Sequence, residues 1–228
     1  ALVYITADEV KDYLEQLVTR NWPVREIAFT GGEPFMNPEM IAIAECSLAA
    51  GYEALILTNA MLPMMRKRVK QGLVALNAAY PGKLTLRISL DHFDRANHDT
   101  ERGKGAFDKT LQGMNWLRDV GIRMHVAGRT VWGDSEAASR AGYSALFAQN
   151  GYDIDAFNRD TPATEQITIR PNYLTYALEG LSIQSVGIIN RILHKRLLAV
   201  IFPDYYRLTV DFEIVIAPIA KRSKEIFQ

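Results

Sequence analysis

Phe29-Thr30-Gly31-Gly32-Glu33-Pro34 is the stretch on which the reading of this chain turns. It follows a short apolar run, Ile27-Ala28-Phe29, and precedes a helix-start signal at Asn37-Pro38. Glycine takes φ > 0 freely and leaves main-chain amides uncovered. Those bare amides, with the Glu33 carboxylate, suit a small charged ligand such as a free amino acid. By itself Gly-Gly-Glu-Pro is also an ordinary turn, so its weight depends on the sequence around it.

Upstream, Thr6 and Glu9 make a capping box for a helix whose Val10, Tyr13, Leu14, Leu17 and Val18 form one apolar stripe. A strand at Glu26–Thr30 follows. Asn37 with Pro38 opens a helix that Gly51 closes. Ala54–Thr58 reads as a buried strand, and Met65, Val69, Leu73 and Leu76 as the next helix. Leu84–Asp91 is a strand, Phe107, Leu111, Met114 and Leu117 a helix, and Ile122–Val126 a strand. Ser135 caps a helix ended by Gly151. This βα alternation predicts a parallel sheet with right-handed crossovers, closed as an α/β barrel or part of one. An open doubly wound sheet is the alternative.

The strand pattern favours the barrel. Leu84, Leu86, Ile88 and Leu90 alternate with Thr85, Arg87, Ser89 and Asp91; Ile122, Met124 and Val126 alternate with Arg123, His125, Ala127 and, just beyond, Arg129. Successive side chains take opposite faces. The apolar set belongs under helices, and the polar set, with Thr85, Arg87, Ser89, Asp91 and His125, should share a cavity. Past Gly151 the repeat fades. Gln166–Arg170 and Leu208–Ile216 look like strands and Leu181–Val200 like a helix.

Composition narrows the function classes. The 228 residues are 48% hydrophobic and 23% charged, with zero formal net charge, which gives no basic excess for nucleic acid. The apolar run near Leu197–Phe202 is too short to span a bilayer, so neither nucleic acid nor membrane is an expected partner. Cys46 is the single cysteine, which fits a reducing, cytoplasmic compartment. His92, His98 and His125 have no metal-ligand spacing; His98 reads as a loop hydrogen-bonder, Met61, Met64 and Met65 as core filler, and Trp132 as the tryptophan best placed for a substrate.

Three strand ends carry polar groups: Gly31-Gly32-Glu33, Thr58-Asn59 and Ser89 with Asp91. Ligands of parallel α/β folds bind at such ends. With Phe29–Pro34, Ile56-Leu57-Thr58-Asn59 and Arg87–Asp91 come His98-Asp99, Arg102-Gly103, Gly105-Ala106-Phe107 and Leu117–Gly121. In order and spacing this set resembles the radical S-adenosylmethionine (SAM) superfamily from about Val3 to about Asn158. The resemblance implies a partial (βα)6 barrel with a 4Fe–4S cluster and SAM, cleavage of SAM to a 5′-deoxyadenosyl radical, and an electron donor such as flavodoxin or ferredoxin. It implies that Gly31, Gly32 and Glu33 meet the SAM amino group, that Thr58 and Asn59 line its pocket, that Ser89 and Asp91 lie near its ribose or the substrate, and that Arg129 reaches its carboxylate. The substrate, small molecule or peptide, is not given.

The family's Cys-x3-Cys-x2-Cys loop falls upstream of the helix at Thr6 and is not in this sequence. One cysteine cannot replace three thiolate ligands, so no metal ligand is assigned. The chain is therefore expected to be a barrel core over residues 1–158 without its first strand and cluster loop, inactive as it stands, followed by an unassigned region over 159–228. Loss of the first strand should expose an apolar edge beside Ile27–Phe29. The alternative is a non-catalytic barrel binding SAM or an amino-acid-like ligand. A Schiff-base aldolase would want a strand-end lysine, which no strand from Glu26 to Val126 supplies.

Overall fold

A computed structural model describes residues 4–22, 24–129 and 131–157, together with the backbone of 167–170 and 212–216. In chain order the elements are α1 (Ala7–Thr19), β1 (Val24–Phe29), a 3-10 turn at Pro34–Met36, α2 (Met40–Ala49), β2 (Glu53–Thr58), α3 (Leu62–Met65), α4 (Lys67–Ala79) and β3 (Leu84–Ser89). Then come α5 (Arg95–Arg102), α6 (Ala106–Asp119), β4 (Arg123–Arg129), α7 (Glu136–Asn150), β5 (Ile167–Arg170) and β6 (Phe212–Ile216). The predicted helix at Leu181–Val200 lies outside the described residues.

Local chemistry sets most boundaries. The Thr6 hydroxyl accepts the Glu9 N–H at 3.2 Å, and Glu9 in turn accepts the Thr6 N–H at 3.0 Å, the reciprocal capping box. Ser135 accepts the Ala138 N–H at 3.2 Å to start α7, and Gly151 ends it at φ 64°, a left-handed conformation that suits glycine. The second helix begins later than Asn37 predicts. Pro34–Met36 forms its own turn, and Asn37 bridges outward, donating to the Ile5 carbonyl at 2.8 Å and accepting the Glu39 N–H at 2.9 Å. One helix was missed outright. The α5 segment is Arg-Ala-Asn-His-Asp-Thr-Glu-Arg, with His98 its buried residue, so no apolar stripe announces it.

The sheet runs β5-β4-β3-β2-β1-β6, every neighbouring pair parallel. From β1 to β5 the spatial order follows the chain without reversal. That is the single winding of a barrel, here partial, and it rules out the doubly wound alternative. Ile27, Phe29, Ile56, Leu86, Ile88, Met124 and Val126 pack with Val10, Leu14, Ile43, Leu73, Met114, Leu117 and Phe147 into one core on the helix side. Each such fully buried side chain contributes about 1.5–3 kcal/mol. Ala28 and Leu55, equally buried, stand outside that core. They share the other face with Thr85, Arg87, Arg123 and His125, as the register requires. The expected alternation of faces therefore holds through β3 and β4.

The edge beside Ile27–Phe29 is not exposed, and that expectation is corrected. β6 pairs along it, with Ile27 opposite Ile214 and Phe29 opposite Ile216. A strand from much later in the sequence satisfies the backbone groups that an open edge would leave to solvent or to another chain.

Candidate functional site

The strand ends on the barrel's carboxyl side are tied together by Glu33. Its Oε1 accepts the Thr58 hydroxyl at 2.8 Å and the Phe35 N–H at 3.2 Å, while Oε2 accepts the Asn59 N–H at 2.9 Å. One carboxylate thus fixes the loop after β1 to the loop after β2. A carboxylate offers about four lone-pair sites, so one stays available. Burial pushes the Glu33 carboxyl above its ordinary range, opposed by the hydrogen bonds from Asn59, Thr58 and Phe35. Gly31 and Gly32, just before it in the chain, are both exposed. Gly31 sits at φ 142°, and a Cβ on Gly32 would meet nothing within 4 Å. The main-chain amides at the turn are open to a ligand.

Across the mouth Asp91 is the centre of a second network. It is 2% exposed. Arg102 grips it in bidentate fashion, Nε to Oδ2 at 2.6 Å and Nη2 to Oδ1 at 2.9 Å. The Arg129 Nε lies 3.4 Å from Oδ1, and Arg129 also donates to Glu101 at 3.0 Å. The Asp91 N–H donates to His98 Nδ1 at 3.1 Å, so the His98 proton sits on Nε2. Burial is the main reason His98 titrates below its ordinary value, against the pull of Asp91. The hydrogen bond to Asp91 raises Arg102, whose guanidinium also feels Glu33. The two networks are therefore electrostatically in contact.

Helix α5 positions this centre. His98 and Arg102, four residues apart, share one helix face, and both reach Asp91. Between them Asp99 serves the next element: its carboxylate accepts the Gly105 N–H at 2.7 Å and the Phe107 N–H at 2.8 Å. Those bonds cap α6 and lower the Asp99 carboxyl. Tyr143 of α7 donates to the Leu90 carbonyl at 2.7 Å, and burial pushes its hydroxyl far up. His92 accepts the Asp94 N–H on Nδ1 at 2.8 Å and donates from Nε2 to Asp134 at 3.0 Å. This latches the loop after β4 to the loop after β3, with the Trp132 ring edge-on to His92 at 4.6 Å.

Below the mouth, the inner face of β3 and β4 is polar. Arg87 lies opposite His125 in register, and Thr85 opposite Arg123. Arg123 donates to the Thr85 hydroxyl at 2.8 Å and to the Gly82 carbonyl, which ties it to the far end of the strands. Burial, then Arg87 and Arg123, depress the His125 imidazole to about 4.

The residues singled out in the sequence divide into two groups. Glu33, Thr58 and Asn59 come together in one network, with Gly31 and Gly32 next to it in the chain; Asp91 and Arg129 form the other; Ser89 stands half-buried at the end of β3. Arg102 and His98 are the residues of the Asp91 network that sequence reasoning undervalued. Their i,i+4 spacing, eleven and seven residues past a strand-end aspartate, was the available signal. His98 is not in a loop but buried within α5. Cys46 sits on α2 and is half-buried, and among the described residues no group of His, Cys, Asp or Glu could hold a metal ion. Among them, too, no helix is long and apolar enough to cross a membrane.

A singly wound parallel sheet with a Gly-Gly-Glu turn and a buried Asp–Arg pair at its carboxyl ends defines a partial-barrel protein, a fold whose ligands bind at the strand ends. Residues 2–136 match the Radical SAM superfamily, and the chain belongs to that family. It is 31% identical over 115 residues to an AdoMet-dependent heme synthase of Methanosarcina barkeri, a match covering 50% of this chain and 30% of that protein. The curated relatives it matches are thus about three times as long as the stretch they share, 28–31% of each being covered in the heme synthases and an Fe-coproporphyrin III synthase. In structure it is similar to SuiB of Streptococcus suis bound to S-adenosylmethionine, with a TM-score of 0.54, 14% identity, and coverage of 84% of this chain and 40% of that one. It is similar also to anSMEcpe with bound AdoMet, at a TM-score of 0.51 and 13% identity over 73% of this chain and 42% of that one. At these identities the likeness is one of fold.

Proposed function

We propose that this chain is the SAM-binding body of a radical SAM enzyme, with SAM lying over the strand ends between the Glu33 and Asp91 networks. The observation that carries the reading is the Glu33 carboxylate, held by Thr58 and Asn59 and preceded in the chain by two exposed glycines. SAM combines an ammonium and a sulfonium with a carboxylate and ribose hydroxyls. The free lone pair of Glu33 suits the ammonium, the Asn59 and Ser89 side chains suit the ribose, and the half-exposed Arg129 suits the carboxylate. Asp91 acts through the two arginines it orients. A cytoplasmic setting and a reducing protein partner such as flavodoxin or ferredoxin belong to the same proposal, as does a hydrogen-bearing substrate received inside the barrel.

Radical generation is chemistry that SAM and a 4Fe–4S cluster supply when bound together; the protein's part is binding, orientation and exclusion of water. The residues of this sequence do not fit the cluster, since thiolates hold it and Cys46 stands alone. A second reading is a SAM-binding barrel without a cluster of its own. The genomic reading frame across Ala1 separates the two: three cysteines at Cys-x3-Cys-x2-Cys spacing upstream support the enzyme, and their absence supports the binding domain.

Calorimetric titration with SAM tests what both readings share. The expected result is saturable binding, weakened roughly tenfold or more in Glu33→Ala because three donors then lose a charged acceptor at once. Absence of binding heat at millimolar SAM, or unchanged affinity in Glu33→Ala, would overturn the proposal.

A further inference from the structure

We infer that the inner face of β3 and β4, below the strand ends, receives a carboxylate group of the substrate, with the Arg87 guanidinium and the His125 imidazole as its donors. This rests on the proposed function, since it names the chemistry of the substrate that the same barrel would accept.

Arg87 and His125 are register partners on adjacent parallel strands, so their side chains leave the sheet side by side. Both are at least nine-tenths buried, at 8% and 9% exposure. They face away from the helix-side core that holds Leu86, Ile88, Met124 and Val126. The Nδ1 atom of His125 has no hydrogen-bond partner among the described residues. A buried polar atom left so costs about 1–3 kcal/mol, and such atoms are rare enough to call for a reason. A ligand oxygen would supply the missing bond.

The neighbours on the same face bound the site. Arg123 is tied to Thr85 and Gly82 at the far end of the strands. Leu57 lies in the Arg87 layer, in register with it, and Ser89 and Ala127 form the next layer toward the strand ends; all three are half-buried. The donor set selects the ligand. A guanidinium presents five N–H donors in a planar fork, so Arg87 serves a ligand beside any bond it makes within the protein. The fork matches a planar carboxylate two bonds at a time. A neutral imidazole next to it adds a hydrogen bond without adding charge. The planar fork and the single imidazole N–H beside it suit a planar carboxylate better than a tetrahedral anion.

The test is NMR of the full chain with labelled histidine, which gives four imidazole signals, titrated with glutarate and, as the neutral control, glutaramide. The expected result is a saturable shift of the His125 signal with glutarate and none with glutaramide. Arg87→Gln should weaken the response roughly tenfold or more, the loss of a charged hydrogen bond. Arg87→Lys keeps the charge without the fork and should fall between. N-acetyl-Ala-Glu-Ala-amide, run beside glutarate, tells whether the carboxylate is accepted on a peptide; a His125 response to either acid supports the inference. It is overturned if His125 responds to neither acid, if glutaramide does as well as glutarate, or if Arg87→Gln, folded by circular dichroism, binds as tightly as the parent. Should that variant not fold, the parent titration and Arg87→Lys decide the matter. A chain that binds SAM but neither acid keeps the proposed function and refutes this inference; one that binds an acid but not SAM does the reverse.

Discussion

Replacing Arg102 by Gln removes the main partner of a buried carboxylate. Arg102 donates two short bonds to Asp91, at 2.6 and 2.9 Å, and Asp91 is 2% exposed. A hydrogen bond to a charged group contributes about 1.5–3 kcal/mol, and stripping one member from a buried ion pair costs about 3–5 kcal/mol. Two features lower the figure here. The Arg102 side chain is itself 26% exposed, so solvent screens part of the attraction. Arg129, 3.4 Å from Oδ1 and half in solvent, stays to share the charge. The expected loss is about 2–3 kcal/mol, with Asp91→Asn near the same value. The double variant Arg102→Gln with Asp91→Asn should lose less than the sum, because neither charge is then left alone. Urea unfolding of the four proteins at pH 7, followed by circular dichroism with common slopes, gives the coupling directly. A coupling of about 1.5 kcal/mol or more is expected. Additivity within about 0.5 kcal/mol would refute the pair as the anchor of the strand-end network.

The buried His125 should make stability fall on acidification. Its folded pKa of about 4 lies below the ordinary 6.5, so the unfolded chain takes up the proton first, and stability present above pH 6.5 is lost down to pH 4; relative to His125→Gln, the parent should lose about 3 kcal/mol over that window by urea unfolding. Gly113→Ala places a Cβ 1.9 Å from the Ala60 carbonyl oxygen, backbone that cannot swing aside. It should destabilise by about 3 kcal/mol or more, read as a lowered melting temperature or loss of soluble protein. Ile214→Pro breaks the backbone pairing of β6 with β1 at Ile27, and should reopen the apolar edge, read as self-association on size-exclusion chromatography.

The elements legible in the sequence were those whose order comes from local chemistry or apolar period. Thr6 with Glu9, Ser135 and Gly151 announce their caps by residue type alone. The alternation in Leu84–Ser89 and Arg123–Arg129 announces two unlike faces. Helix α5 is stabilised otherwise: the Asp94 cap and the bonds of His98 and Arg102 to a residue outside the helix hold a polar octapeptide that has no stripe to read. The strand β6 was legible as a strand, yet its place beside β1 was not, because parallel pairing between segments so far apart leaves no local mark. The site followed the same division. Its residue types were visible at the strand ends, whereas the partners of Glu33 and Asp91 depend on tertiary contact, 25 residues away for Thr58 and 11 for Arg102.

Those partners change what each site residue can do. Three of about four lone-pair sites on Glu33 are already taken, and both oxygens of Asp91 are occupied by Arg102. Neither carboxylate is a free anion waiting for a ligand. Glu33 spends most of its capacity fixing two loops, and Asp91 holds two arginines by side chain and one histidine by main chain. The groups left for a ligand are the one open lone-pair site of Glu33, the amides of Gly31 and Gly32, Ser89, and Arg129. In the proposed function the Glu33 site takes the cationic end of SAM and the half-exposed Arg129 its anionic end. Deeper in the barrel the balance reverses, with a fixed guanidinium and an uncharged imidazole on the inner face and no polar staple between them and the mouth among the described residues. If the two proposals hold, the upper layer takes a zwitterion and the lower an acid, and β3 and β4, which are adjacent, carry residues of both layers.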